Sequence, residues 1–505
     1  MQQRVIVAFL ILGLVASQAC DMSLDERADC GYMGINQQLC EAKGCCWKPA
    51  RLLMQEEDQP NGVPWCFFPS GQSPCGNISF SWDGGMGFDQ SFYDKMYQLF
   101  DANIDIQGKG GIVAAPDHST PGGSYYYHWM RDAGLTMRTY LELNNFDLSK
   151  VEKKMKSYVN WVKRVQGETD PQGFDVRINP KFELPDGQVY VGGWCRPQTD
   201  GPGLRSGAIQ MFANVLLEKG QDSYVKDTLV PVIKKDLEWV LANWQSDGCD
   251  LWEEVRSNDF FWGRAAFVYS LDLCSKLFNK LGDSSFASRC SSTKSSIQQT
   301  LEGHWTGTFM KESANREKDG AVVHAFSSFD VYPITDEKVA KTMKVLANTF
   351  CNEYAINQKE VKDGIPGILI GRYPGDSYAG GNPWQLLTAV FAKTFYQGAT
   401  VLMESNGFLK EEDRRAWFDI LKLPETASLK EQIESAIKAG DSVMNRLYMH
   451  VKGDGGHIAE QIDRNNGAQK SANDLTWSYA NILSAMQARS KASEALSKYI
   501  ETAKQ

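Results

Sequence analysis

Histidine is scarce in this chain, with six residues in 505. No Cys-X-X-Cys pair or His-Glu-X-X-His helix accompanies them, so the usual ligand sets for a catalytic zinc are missing. His457 precedes Glu460 by three residues, which makes a metal pair at helical spacing conceivable but is not one of those sets. Asp101-Ala-Asn103-Ile-Asp105 has a trace of calcium-loop spacing, and Ile106 stands where that loop requires glycine. Gly108-Lys109-Gly110-Gly111 lacks the phosphate-loop frame. Neither a metal nor a cofactor is expected. Basic charge is also short: 53 Lys and Arg against 62 Asp and Glu give a net charge of −9. With no Lys/Arg run interleaved with aromatics, nucleic acid is not an expected partner. Beyond the first fifteen residues no apolar run approaches the roughly twenty needed to span a bilayer. A membrane partner is not expected.

Cysteine is plentiful, with twelve residues. Cys20, Cys30, Cys40, Cys45, Cys46 and Cys66 crowd one short segment; Cys75, Cys195, Cys249, Cys274, Cys290 and Cys351 are scattered. Residues 1–19 read as a secretory signal: Arg4, an apolar run from Val5 to Val15, then Ser17 and Ala19 before Cys20. Twelve cysteines behind such a leader point to disulfides in a secreted or endomembrane-lumen protein. Asn77-Ile78-Ser79 is a glycosylation acceptor, with Asn77 in a segment (71–84) that reads as an exposed linker. The cysteine-dense segment, 20–70, is too short to bury much core and must be stapled. Its six cysteines leave fifteen pairings open.

From residue 85 to 505 the chain reads as helices separated by long Gly- and aromatic-rich loops. Val151, Met155, Tyr158, Val159 and Val162 recur at helical spacing, as do Leu229, Val232, Ile233, Leu237, Val240, Leu241 and Trp244. Gly220 and Gly282 fall where left-handed helix caps belong. About a dozen such helices suit a double ring with its loops gathered at one mouth.

The chemistry is carried by two acidic clusters about two hundred residues apart, Asp250-Leu-Trp252-Glu253-Glu254-Val255 and Ala459-Glu460-Gln461-Ile462-Asp463. An acidic pair beside a tryptophan is most often only a helix start with a solvated face. Two carboxyl groups on opposite sides of one bond are nonetheless what acid–base hydrolysis requires. An acid of this kind needs a raised pKa, which Trp252 would favour by shedding water and Asp250 and Glu254 by like charge. Neighbours on a helix point about 100° apart, so spacing does not choose between Glu253 and Glu254. Arg131, Asp132 and Arg372, with Asp376 four residues on, form a candidate clamp for sugar hydroxyls. Tyr125, Trp129, Trp194, Trp252 and Trp384, and less clearly Trp477 and Tyr378, are candidate walls against the apolar face of a pyranose.

The strings Tyr125-Tyr-Tyr-His-Trp129-Met-Arg131-Asp132, Gly193-Trp194-Cys-Arg-Pro-Gln198-Thr-Asp200-Gly-Pro202, Gly371-Arg372-Tyr-Pro374, Gly381-Asn-Pro-Trp384 and Asn473-Asp-Leu-Thr-Trp477-Ser-Tyr479 surround the two clusters. In this order they resemble the glucoamylase family, over roughly residues 85 to 490. That resemblance implies an all-α fold, an (α/α)6 barrel, and inverting exo-hydrolysis of terminal α-1,4-linked glucose from starch, glycogen or maltooligosaccharides. It implies Glu253 as general acid, Glu460 as general base, and Glu254, Asp250 and the clamp as sugar contacts in a blind pocket. A trehalase, an isomalto-specific hydrolase or a non-catalytic glycan binder would share most of these strings. A retaining α-glucosidase on a (β/α)8 barrel would need an Asp-Met-Asn-Glu-like string, which is absent. Cys30-Gly31-Tyr32, Lys43-Gly-Cys45-Cys46-Trp47 and Pro64-Trp65-Cys66-Phe67 resemble the trefoil (P-type) domain, which implies Cys20–Cys46, Cys30–Cys45 and Cys40–Cys66. Residues 51–61 read as an insertion in that pattern. The protein is expected to be a monomer.

Overall fold

The computed structural model describes residues 20–22, 27, 29–31, 35–49, 64–70, 73 and 75–502. The signal at 1–19 and the insertion at 51–61 lie outside them. Helices dominate, and twelve of them build two concentric rings. In chain order these are α1 (Gln90–Ala102), α2 (Met130–Leu143), α3 (Leu148–Val165), α4 (Asp200–Glu218), α5 (Val230–Asn243), α6 (Phe261–Lys280), α7 (Ser284–Leu301), α8 (Gly320–Phe329), α9 (Glu337–Glu353), α10 (Gln385–Glu404), α11 (Leu429–Val451) and α12 (Thr476–Thr502).

The even-numbered helices pack on one another in sequence, α2 to α4 to α6 to α8 to α10 to α12, and α12 returns to α2. That closes the inner ring. Each also packs on an odd-numbered helix outside it. Burial reflects the two environments. All ten residues of α8 are buried, as an inner helix packed on every side requires. Outer α3 buries only one stripe, from Val151 and Met155 through Tyr158, Val159 and Val162 to Val165. Short connections, such as 144–147 and 281–283, reverse the chain between consecutive helices. The inner helices therefore begin at the same end. Gly220 and Gly282 adopt the left-handed conformation, with φ of 70° and 83°.

Helix starts leave backbone N–H groups without intrahelical partners. Here those groups secure the loops of the mouth. Met130 N–H donates to Pro180 O at 2.9 Å, Phe261 to Glu312 at 2.8 Å, Gly320 to Arg372 at 2.7 Å, Gln385 to Glu460 at 3.2 Å and Thr476 to Ala114 at 2.8 Å. In each case the acceptor lies in the loop leading to the next inner helix around the ring. The loops that carry the candidate residues are thus pinned to rigid elements.

The N-terminal module joins its cysteines as Cys20–Cys46, Cys30–Cys45 and Cys40–Cys66. A two-stranded antiparallel pair, Cys46–Trp47 with Cys66–Phe67, lies at its centre. The remaining cysteines pair as Cys75–Cys351, Cys195–Cys249 and Cys274–Cys290. Asn77 is exposed. Among the described residues no helix is long and apolar enough to cross a membrane.

Candidate active site

A hollow of about 220 Å³ opens at the mouth, among the starts of the inner helices. Glu253 and Glu460 both line it, together with Tyr125, Trp129, Arg131, Asp132, Trp194, Trp252, Glu254, Arg372, Tyr378, Trp384 and Trp477. Residues remote in sequence meet here because each inner helix delivers its preceding loop to one place.

Glu253 sits in a tight turn with φ of 68°, a left-handed conformation uncommon for a residue with a side chain. Asp250 builds that turn. Its Oδ1 accepts the N–H groups of Glu254 (2.7 Å) and Val255 (3.0 Å), and its carbonyl accepts that of Glu253 at 3.0 Å. Its other oxygen pairs with Arg316 at 2.6 Å. The Cys195–Cys249 disulfide ties the turn to the Trp194 loop. Glu253 Oε1 accepts from Trp129 Nε1 at 2.7 Å, Gln198 Nε2 at 3.0 Å and Arg131 Nη2 at 3.4 Å.

Glu460 is almost fully buried, 1% exposed, and burial raises its pKa. Opposing this, Oε1 accepts from Tyr125 OH at 2.9 Å, and Oε2 accepts from Ser471 Oγ at 2.6 Å and Gln461 Nε2 at 2.8 Å; the Arg372 charge also favours ionisation. Tyr378 OH completes the chain, 2.7 Å from Tyr125 OH.

Arg372 is clamped by Asp376 at 2.8 Å (Nε) and 2.6 Å (Nη2), and reaches Glu254 at 2.8 Å. Its guanidinium lies 5.2 Å from both the Trp384 and Tyr378 ring centroids. Glu254 is further held by Arg316 at 2.9 Å and by the Tyr373 hydroxyl. Arg131 is fixed by Gln198 at 3.0 Å and Asp200 at 3.3 Å.

Two expectations need correcting. Asp250 and Asp376, expected among the sugar contacts, are absent from the lining and lie behind it. Both spend their oxygens on backbone N–H groups and arginines, so their work is to hold Glu254 and Arg372. Trp252 lines the hollow with Glu253, and its indole N–H is 3.0 Å from both oxygens of Asp319. His457, weighed as half of a metal pair, bonds Asp474 at 2.8 Å.

Several contributors carried no signal of their own in the sequence. Gln198 sits in a motif, but only the fold shows it bridging Arg131 and Glu253. Arg316, Glu312 and Asp319 lie in none of the motifs that the sequence singles out. Lys181 is buried with its ammonium 3.3 Å from the Trp194 ring centroid, 4.1 Å from Tyr190, 4.5 Å from Tyr127 and 4.6 Å from Trp129. Burial lowers its pKa to about 8. It braces two walls of the hollow from behind.

Burial raises the Asp132 carboxyl to about 7, against the pull of Arg131 and with the push of Glu253. Asp319 is likewise raised to about 7, chiefly by burial. In the unfolded chain both would ionise near pH 3.9. Between about pH 4 and 7 the folded protein therefore binds more protons than the unfolded one, and these groups make stability fall as pH rises. Buried His128 and His324, whose pKa is lowered to about 3, push stability the other way between about pH 5 and 6.5. The carboxyl contribution is therefore read as a difference: Asp132→Asn is expected to lose more melting temperature at pH 5 than at pH 7.5 relative to wild type. An equal change at the two pH values would contradict the raised Asp132 carboxyl.

Comparison with known proteins agrees with the geometry. The family model described as Glycosyl hydrolases family 15 matches residues 95–487, and the Trefoil (P-type) domain matches residues 20–69. A glucoamylase of Blastobotrys adeninivorans is 31% identical over 438 residues, covering 77% of this chain and 68% of that one. Glucoamylase-1 of Schizophyllum commune is 32% identical over 408 residues, covering 75% and 69%. Among solved structures, the glucoamylase of Saccharomycopsis fibuligera superposes with a TM-score of 0.71 at 25% identity, covering 82% of this chain and 98% of that one. The Hormoconis resinae glucoamylase gives 0.72 at 27% identity, covering 79% and 72%. With its closed double ring of helices and the cysteine-rich module before it, the chain belongs to family 15 of the glycosyl hydrolases, as a glycosidase of the glucoamylase type joined to a trefoil domain.

Proposed function

We propose that the hollow removes terminal α-1,4-linked glucose from the non-reducing ends of starch, glycogen or maltooligosaccharides, with inversion at the anomeric carbon. The observation that carries this reading is the asymmetry of the two carboxylates lining one hollow. All three donors to Glu253 go to Oε1, so Oε2 is the oxygen left to hold a proton. Glu460 has both oxygens fixed by neutral donors, which suits a base that stays put while it receives a proton.

In the reaction, Glu253 delivers its proton to the glycosidic oxygen as the bond from that oxygen to the anomeric carbon breaks. A water on the opposite face forms the new bond and gives a proton to Glu460. The products are β-glucose and a chain one unit shorter; Glu460 then releases its proton to solvent and Glu253 takes one back. The route needs a carboxyl separation of about 6.5–9.5 Å to seat the water. Arg131, Asp132, Glu254 and Arg372 orient the terminal glucose through its hydroxyls. Trp129, Trp194 and Tyr125 cover its apolar face and exclude bulk water.

The test is an anomer-resolved assay by proton NMR on maltose, isomaltose, trehalose and soluble starch. β-Glucose released first from maltose is the expected result. α-Glucose would replace inversion by retention, and turnover of trehalose or isomaltose alone would move the substrate class. Six disulfides further support an oxidising compartment, extracellular or luminal, as the place of work. We take the working form to be a monomer.

A further inference from the structure

A second cavity lies between the trefoil domain and the barrel, and at about 550 Å³ it is larger than the hollow. The two domains are fastened around it. Cys75–Cys351 anchors the segment that follows the trefoil domain, Asn352 Nδ2 donates to the Asp29 carbonyl at 3.0 Å, and Lys318 pairs with the Asp29 carboxylate. On the trefoil side stand Trp47 and Trp65, edge to face at 6.0 Å between centroids and both only partly buried. Facing them are Asn315, Arg316 and Tyr373 of the barrel.

Three features define what fits. The lining charges cancel, Asp29 and Glu317 against Arg316 and Lys318, and three of the four are engaged: Lys318 with Asp29, and Arg316 with Asp250 and Glu254. An ionic ligand therefore gains little. Two indoles at right angles offer flat apolar surface beside polar rim groups, the combination that receives a pyranose ring. The floor is shared with the active site, since Arg316 lies 3.7 Å from the Tyr373 ring centroid and both residues hold Glu254, which lines the hollow.

We propose that this interdomain cleft is a second α-glucan-binding site, which holds polymeric substrate beside the hollow that trims its ends. The ligand class rests on the α-glucan reading above. Short substrates such as maltose would be handled by the hollow alone. The cleft exists only when both domains are present, so neither is a complete binding unit.

β-Cyclodextrin separates the two sites, because a closed α-1,4 ring has no end to enter an exo-acting hollow. In calorimetry on the full chain it is expected to bind wild type and Glu253→Gln alike. Its affinity should fall about tenfold in Trp47→Ala, in Trp65→Ala and in Asn315→Trp, which fills the cleft from the barrel side and leaves the trefoil domain untouched. The KM for glycogen should rise in the same variants while kcat/KM for maltose stays at the wild-type value, which also reports that they are folded. Absence of cyclodextrin binding to wild type, or affinity indifferent to Asn315→Trp, overturns the proposal. If neither maltose nor glycogen is hydrolysed while cyclodextrin still binds at the cleft, the α-glucan hydrolase reading fails and the binding site stands.

Discussion

Glu253→Gln is expected to lower kcat on maltose by at least about 10²-fold while KM changes little. The amide is nearly isosteric, and its oxygen can still accept from Trp129, Gln198 and Arg131, so the turn around it should survive. Only the transferable proton is lost. Because that proton matters in the transition state and not in binding, the penalty falls on kcat. Glu460→Gln should give a loss of the same order for a different reason: the water would have no base. Leaving groups distinguish the two. An aryl glucoside, whose phenolate departs without protonation, should restore much of the rate to Glu253→Gln and none to Glu460→Gln. Wild-type turnover of maltose by both variants would remove these residues from the chemistry altogether.

The second large effect concerns the ring itself. Arg205 on α4 and Asp236 on α5 form a two-pronged pair, with Nε to Oδ2 at 2.8 Å and a second contact from Nη2, and both residues are fully buried. Breaking such a pair by removing one partner leaves an uncompensated charge in the interior, which costs about 3–5 kcal/mol. Asp236→Ala should therefore shift the urea midpoint strongly downward. Replacing both members together with apolar residues, Arg205→Met with Asp236→Leu, should recover most of that loss, since no stranded charge remains. A single variant within about 1 kcal/mol of wild type would mean that water reaches the pair.

Much of the architecture was legible in the letters, because inner and outer helices bury different fractions of their surface and leave different patterns. Outer α3 announced itself through a clean stripe from Val151 to Val162. The mouth was legible as well, since aromatic and acidic residues clustered in loops just before apolar helices. Less visible was the direction in which each side chain points. Asp250 and Asp376 carry the same carboxylate as Glu253 and Glu254, and nothing in their spacing says that they turn away to serve arginines. Trp252 reaches the hollow as a wall, but that its indole N–H is held by Asp319, about seventy residues later, had no signal in the sequence. Arg316 was hidden for another reason. In Asn315-Arg-Glu-Lys-Asp319 it has the appearance of a solvated charge, and only the fold brings it between two acidic groups and the trefoil domain.

Closure of the inner ring has a consequence for the order in which this molecule comes into being. The wall that meets α2 is α12, and Glu460 precedes it by only a short loop. A ribosome that has released five inner helices has thus made Glu253, most of the aromatic lining, Arg131 and Arg372, but not Glu460. If Glu253 and Glu460 have the roles proposed above, the nascent polypeptide is expected to gain hydrolytic power only after that final wall closes the ring.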